Sequence, residues 1–198
     1  VGRVQGTSAT DVATALATGA DLVAGAALVI ELDSGSLTLD DGNTNGIALS
    51  AAGNVLIRTA ATTGDIDVNA GISVAGGGAN SLAGHLSINA GQDLLLDASV
   101  TTTATNATID LLAGRDIRQG TAVQSVTVSS ANGDIAWRAG QDIVLETVNA
   151  GTGNVLLQAG RSVSDGDAVD ASSNEVDILA AGLILNAGSA GGLGVGAN

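Results

Sequence analysis

Residues 133–160 read GDIAWRAGQDIVLETVNAGTGNVLLQAG. Two words of one design bracket this stretch: GDIAWRAG (133–140) and GNVLLQAG (153–160). In each, aliphatic or aromatic residues alternate with other residues before an Ala-Gly end. Ile135 and Trp137 flank Ala136, and Val155 and Leu157 flank Leu156. Period-two alternation marks a β-strand with one buried face. A second apolar run, DIVL (142–145), follows the first corner.

Outward from this stretch the word recurs as GDIDVNAG (64–71), GHLSINAG (84–91), ATIDLLAG (107–114) and NEVDILAAG (174–182). The closing glycines Gly71, Gly91, Gly114, Gly140, Gly160 and Gly182 are spaced 20, 23, 26, 20 and 22 residues apart. Looser copies end at Gly53 and Gly35, and Gly19 ends a third stretch. Second runs follow at 72–74, 93–96, 116–119 and 183–185. Each unit therefore reads as strand, Ala-Gly corner, strand and variable loop. Such units are too short for paired helices, and the leucine-rich and calcium-binding nonapeptide words are absent. The expected fold is all-β: a right-handed parallel β-helix of about seven to nine coils with a period near 20 residues. The corner glycines are expected at positive φ. Thr10, Val12, Leu16 and Gly19 give 10–18 the pattern of a short helix covering the first coil. Residues 1–188 read as one domain, and 189–198 as a Gly-rich tail or the start of a further coil.

Composition suits a narrow core. The chain of 198 residues has no Cys, Met, Phe, Tyr, Pro or Lys, one Trp and 29 Gly. Hydrophobic residues make up 45%, too many for a solvated acidic chain. No apolar run reaches the ~18–20 residues of a membrane helix. Neither a basic n-region nor a cleavage site follows Val1, so the chain reads as a processed product or fragment. Net charge −14 argues against nucleic acid and anionic membrane surfaces. A chain without cysteine also fits export in an unfolded state.

The passages SATDVATALATGADLV (8–23), GDIDVNAG and AGQDLLLDASV (90–100) resemble the filamentous-haemagglutinin-like large exoproteins over roughly residues 7–188. The resemblance implies a β-helical fibre or adhesin secreted by bacteria through two-partner secretion. The family's amino-terminal secretion domain carries an NPN-type word. This chain has no proline, so the resemblance is to an internal or distal piece.

Catalytic chemistry finds few residues. His85 is the only histidine, and neither Lys nor Cys replaces it as a base or nucleophile. It stands where Asp65, Asp134 and Asn154 open other strands and reads as an exposed or turn-bonding residue. A polysaccharide-cleaving β-helix needs a carboxylate pair beside aromatic platforms, and Trp137 alternates in phase with inward Ile135. Trp137 therefore reads as core, and the chain as a non-enzyme. Calcium is the one small ligand with candidates: Asp40, Asp41, Asn43 and Asn45 in DDGNTNG, and Asp165, Asp167 and Asp170 in DGDAVD. Both segments also read as polar turns. Asp93, Asp116 and Asp142 share one phase after successive corners, with Arg115 and Arg161 placed to offset their repulsion. Each Asp is expected to cap its own turn. TTT (101–103) does not recur as an ice-binding array would.

The leading functional expectation is a structural or adhesive segment of a secreted bacterial surface fibre, non-catalytic. Its partners would be neighbouring coils or further copies of itself, with a host or cell-surface ligand. A head-to-tail filament or sheath subunit is the second expectation, and a carbohydrate-active β-helix enzyme the third.

Overall fold

The computed structural model describes residues 2–6, 22–24, 27–41, 46–59, 62–76, 83–120, 125–166 and 176–194. The helix expected over 10–18 lies outside them. The described residues contain strands and turns but no helix.

The chain is a β-solenoid of stacked parallel strands in three sheets. The first sheet stacks β1 (Gly2–Gly6), β3 (Leu28–Leu32), β6 (Val55–Thr59), β9 (Leu86–Ala90), β12 (Ile109–Ala113), β15 (Ile135–Ala139), β18 (Asn154–Ala159) and β21 (Gly182–Asn186) in that order. The second holds β4 (Leu37–Leu39), β7 (Ile66–Val68), β10 (Leu94–Leu96), β13 (Ile117–Gln119), β16 (Ile143–Leu145) and β19 (Val163–Asp165). The third holds β2 (Leu22–Ala24), β5 (Ile47–Ala51), β8 (Gly71–Val74), β11 (Val100–Thr102), β14 (Thr127–Ser130), β17 (Thr147–Asn149) and β20 (Ile178–Leu179).

Among the described residues six coils thus carry all three strands, with incomplete coils at both ends, slightly fewer complete coils than the seven to nine expected. Seven steps of about 4.8 Å make the first sheet roughly 34 Å tall.

Each coil has three strands rather than two. The third lies in what reads as variable loop, where Val100-Thr101-Thr102 and Thr147-Val148-Asn149 alternate on short β-branched runs. The spacing of Ala-Gly ends also misaligns two copies. Within GDIDVNAG, Ile66 pairs with Leu94 in the second sheet, not with Leu86 in the first. Within NEVDILAAG, Ile178 pairs with Val148 in the third sheet. The true first-sheet strand of the last coil is GLILN (182–186), where Leu185 lies against Leu157. The runs at 72–74 and 183–185 likewise leave the second sheet for the third and first.

Register, rather than spacing, is constant. Ile30, Ile57, Ile88, Leu111, Trp137, Leu157 and Leu185 form one inward column. Their separations run from 20 to 31 residues, so the period is longer and more variable than expected. The core is the shared interior of the sheets, filled by Leu, Ile, Val and Ala with Trp137 fully buried. A core only two or three side chains across explains why aliphatics fill it.

Among the described closing glycines Gly35 takes the expected positive φ, 82°, and the others serve a different purpose. Gly114, Gly140 and Gly160 are not among the positive-φ residues. A Cβ on Gly114 would strike the carbonyl oxygen of Gly91, one on Gly140 that of Gly114, and one on Gly160 that of Gly140. Gly188 continues the column over Gly160. Glycine is needed here because backbone lies directly on backbone.

Candidate functional site

Polar side chains of the described coils converge in columns at the corners. After the first-sheet corner, Asp93 N–H donates to Asp65 Oδ1 at 3.0 Å, Asp116 N–H to Asp93 Oδ1 at 3.3 Å, and Asp142 N–H to Asp116 Oδ1 at 3.0 Å. Ser162 N–H closes the run on Asp142 Oδ1 at 3.1 Å, and Asp65 N–H donates to Ser36 Oγ at 3.0 Å. Each carboxylate therefore holds the coil that follows it, instead of capping its own turn. Repulsion along the column is offset by arginine. Arg115 Nε donates to Asp93 Oδ1 at 2.7 Å and its Nη2 to Asp93 Oδ2, while Arg118 Nη2 lies 3.4 Å from Asp116. Arg161 holds Asp142 the same way, through Nε at 2.8 Å and through Nη2. The Arg161 hydrogen bond holds the Asp142 carboxyl below its ordinary value of 3.8. That contribution to stability is present above the ordinary value and disappears as pH falls through the depressed one.

Asp116 is the buried rung, with 5% of its surface exposed. Its replacement by Ala leaves the Asp142 N–H without its acceptor and Arg118 without the carboxylate it faces, while Arg115 keeps Asp93. The expected cost is about 1–3 kcal/mol, read as a lower urea midpoint. Asp116→Asn keeps an acceptor and should lose clearly less. Equal losses for the two variants would contradict the ladder.

A second column opens the first-sheet strands. His85 N–H donates to Asn54 Oδ1 at 3.1 Å, and Thr108 N–H donates to His85 Nδ1 at 3.0 Å. This places the imidazole proton on Nε2. Asn154 N–H donates to Asp134 Oδ1 at 2.8 Å. His85 thus does the work of Asn or Asp elsewhere in the column, as its position in the repeat implies. Asp65, expected at the same position, belongs instead to the corner column, because the strand it precedes lies in the second sheet.

The outward carboxylate of the second sheet lacks such partners. Asp67 lies between Thr38 and Leu95 in register. Its Oδ1 is buried without a hydrogen bond. Burial chiefly, then the carboxylates of Asp65, Asp97, Asp40 and Asp93, push its pKa up. A raised carboxyl pKa means the folded state binds the proton more tightly. Asp67 therefore detracts from stability as pH rises from the ordinary value through the raised one. Asp67→Asn should raise the melting temperature at pH 7, by an amount worth up to about 1 kcal/mol after solvent screening. The gain should vanish in acid; an equal gain at pH 3 and pH 7 would refute the electrostatic cause.

The calcium candidates do not assemble into one described site. Asp40 Oδ1 accepts from Asn69 Nδ2 at 2.7 Å, and Asp41 Oδ2 accepts from Gly46 N–H at 2.6 Å. Asp165 ends β19 in register with Leu145. Asn43, Asn45, Asp167 and Asp170 lie outside the described residues. Among the described residues no three His, Cys, Asp or Glu side chains are grouped to hold a metal ion. No described helix is long and apolar enough to cross a membrane.

Three features escape a reading of the sequence. Gln119 is fully buried in the inward column beside Leu96, yet its amide is satisfied: Nε2 donates to the carbonyls of Val126 at 2.5 Å and Thr147 at 2.7 Å, and Oε1 accepts from Glu146 N–H at 3.0 Å. Ser50, Ser73, Thr101, Ser129 and Asn149 align as an outward polar column on the third sheet. Ala136, Leu156 and Ile184 align as an outward apolar column on the first, the last being 63% exposed. Only the register reveals these columns. No family model, curated protein or solved structure matches this chain.

Proposed function

We propose that the chain is a non-catalytic structural segment of a secreted bacterial surface fibre, with adhesive capacity on its flanks. The observation that carries this reading is the use made of the polar residues. Asp65, Asp93, Asp116 and Asp142 are committed to backbone N–H groups of the next coil, and three of the six arginines lie along that column. The single histidine accepts the Thr108 backbone N–H at Nδ1, so its lone pair is engaged in joining one coil to the next. Trp137, the one aromatic that could carry a sugar, is inside the core. The words shared with filamentous-haemagglutinin-like exoproteins support the fibre context. The same solenoid sidesteps the small core's weakness by spreading its stability evenly along a rod.

Two measurements test this. Immunogold labelling of the source cells with antibody to this chain should decorate material outside the cell surface; label confined to the cell interior would reject the fibre. Incubation with a panel of acidic and neutral polysaccharides should release no new reducing or unsaturated ends. Catalytic release that persists with the purified chain would reject the non-catalytic reading.

A further inference from the structure

The corner that leads from the third sheet back to the first differs between neighbouring coils. Asn106 and Asn132 both sit there in the left-handed region, at φ 63° and 67°. After Asn106, the Ala107 N–H donates to the Ala104 carbonyl at 3.0 Å. Two coils on, the Gly153 N–H donates to the Ala150 carbonyl at 2.8 Å. The coil between them turns more tightly. There the Asn132 N–H takes the Ser130 carbonyl at 3.0 Å, and the Gly133 N–H has no acceptor among the described residues. Asn132 itself is exposed, and its side-chain Oδ1 accepts the Thr152 N–H at 3.1 Å.

This arrangement sets a nucleophile beside an electrophile. The Gly133 nitrogen is not held by a hydrogen bond, and its residue brings no Cβ to obstruct approach. The Thr152 N–H draws electron density from the Asn132 amide carbon. We propose that Asn132 is a self-acting modification site, converted in the folded solenoid through a cyclic imide to aspartate and isoaspartate. The Gly133 nitrogen attacks Asn132 Cγ. The N–Cγ bond forms, the Cγ–Nδ2 bond breaks, and Nδ2 leaves as ammonia with the Gly133 proton. Water then opens the imide. Attack at Cγ gives aspartate. Attack at the main-chain carbonyl gives isoaspartate, whose backbone runs through Cγ and is longer by one methylene.

The lengthened product disturbs the stack because of what stands on each side of Gly133. A Cβ on Gly133 would strike the Ala107 carbonyl, and one on Gly153 would strike the Gly133 carbonyl. Backbone lies on backbone here, so an added main-chain carbon displaces Gly133 and the start of β15, the strand that carries Trp137. The site stands on the geometry of the corner and is independent of the fibre reading.

The chain holds its own control. Asn45-Gly46 is the other Asn-Gly step in the sequence. The Gly46 N–H donates to Asp41 Oδ2 at 2.6 Å, so its nitrogen is engaged where that of Gly133 is not. The test ages the purified 198-residue chain in mildly alkaline buffer, once folded and once in urea, and follows both steps by peptide mass spectrometry. Trypsin releases 119–138, in which Asn132 is the single Asn. Relative to the rates in urea, Asn132 should lead Asn45 by about tenfold in the folded chain, the worth of one hydrogen bond. An equal pace for the two steps when folded, a lead for Asn45, or an Asn132 that stays intact would overturn the proposal. The aged parent should also show a lower urea midpoint by Trp137 fluorescence. Asn132→Gln, whose longer side chain does not form this ring, should keep its own midpoint through the same treatment. An equal fall in that variant would show that ageing acts elsewhere and overturn the link to this corner.

Discussion

Gly140→Val is expected to be the most damaging single change in the solenoid's corners. The stack at this point is backbone on backbone: a Cβ at Gly140 would strike the carbonyl oxygen of Gly114. A flexible neighbour can swing away from an added methyl group, but this carbonyl is fixed. The Gly140 N–H itself bonds the Ala113 carbonyl at 3.1 Å, and Arg115 N–H bonds the Gln92 carbonyl at 2.8 Å on the coil beneath. To make room, the coil must lift and stretch the pairing of β15 with β12. Overpacking alone typically costs 1–3 kcal/mol, and loss of ladder bonds adds to it, so a total of about 3 kcal/mol or more is expected. Gln141→Ala, one residue on and exposed, should stay within about 0.5 kcal/mol of the parent. Thermal melts followed by circular dichroism distinguish these outcomes. A Gly140→Val protein that melts with the parent would show that the corner tolerates a side chain and that the glycine column has another cause.

That column also shows how far the solenoid is legible in its sequence. The alternation of Ile135 with Trp137 and of Val155 with Leu157 identifies buried strands without a structure, because a strand places successive side chains on opposite faces. Ala-Gly endings identify corners, but not which corner. Gly71 and Gly182 end similar words and stand outside the column of Gly114, Gly140 and Gly160. The residues that follow are the distinguishing signal. Gln92-Asp93, Arg115-Asp116, Gln141-Asp142 and Arg161-Ser162 follow the stacked corners, whereas Ile72 and Leu183 follow the other two. Asp and Ser are required there because a coil-to-coil hydrogen bond is made from that position. Counting residues between glycines hides this. The solenoid fixes strand register and leaves loop length free, so coils of 20 and 31 residues stack equally well.

The third sheet stayed out of view for a related reason. Its strands are short and rich in Ser and Thr, and only two alternate positions need be aliphatic. Thr102 and Ser130 even point inward, where Thr102 Oγ1 donates to the Ala107 carbonyl at 3.2 Å and Ser130 Oγ to the Gly133 carbonyl at 2.5 Å. A hydroxyl that satisfies a neighbouring turn can occupy an inward position at little cost. The hydrophobic pattern is thereby interrupted where the structure is not. The polar columns on the flanks are harder still, since they join residues from separate coils and exist only once the register is known.

Trp137 carries the other large expected effect, and one that separates packing from polarity. It is the largest fully buried side chain, stacked in register between Leu111 and Leu157. Trp137→Ala should cost about 3–5 kcal/mol, through lost burial and the cavity left between coils that are pinned by their corners. The indole brings a liability as well: its Nε1–H is buried with no hydrogen-bond partner. An orphaned buried donor costs about 1–3 kcal/mol. Trp137→Phe removes that donor and part of the ring together. The two changes oppose each other, so Phe is expected within about 1 kcal/mol of the parent in spite of its smaller volume. The Ala and Phe variants should therefore lie far apart in urea midpoint. Were Phe as damaging as Ala, the indole N–H would have to be bonded and its ring irreplaceable in shape. The parent supplies a further check, because it has no Tyr or Phe and only this Trp. Its fluorescence reports one coil, whereas far-ultraviolet dichroism reports all of them. In a stack where each coil touches only its neighbours, the exposed ends open before the middle. Dichroism should start to fall at lower urea than the Trp137 signal moves, and Leu183 and Leu185 lie in the coil that opens first.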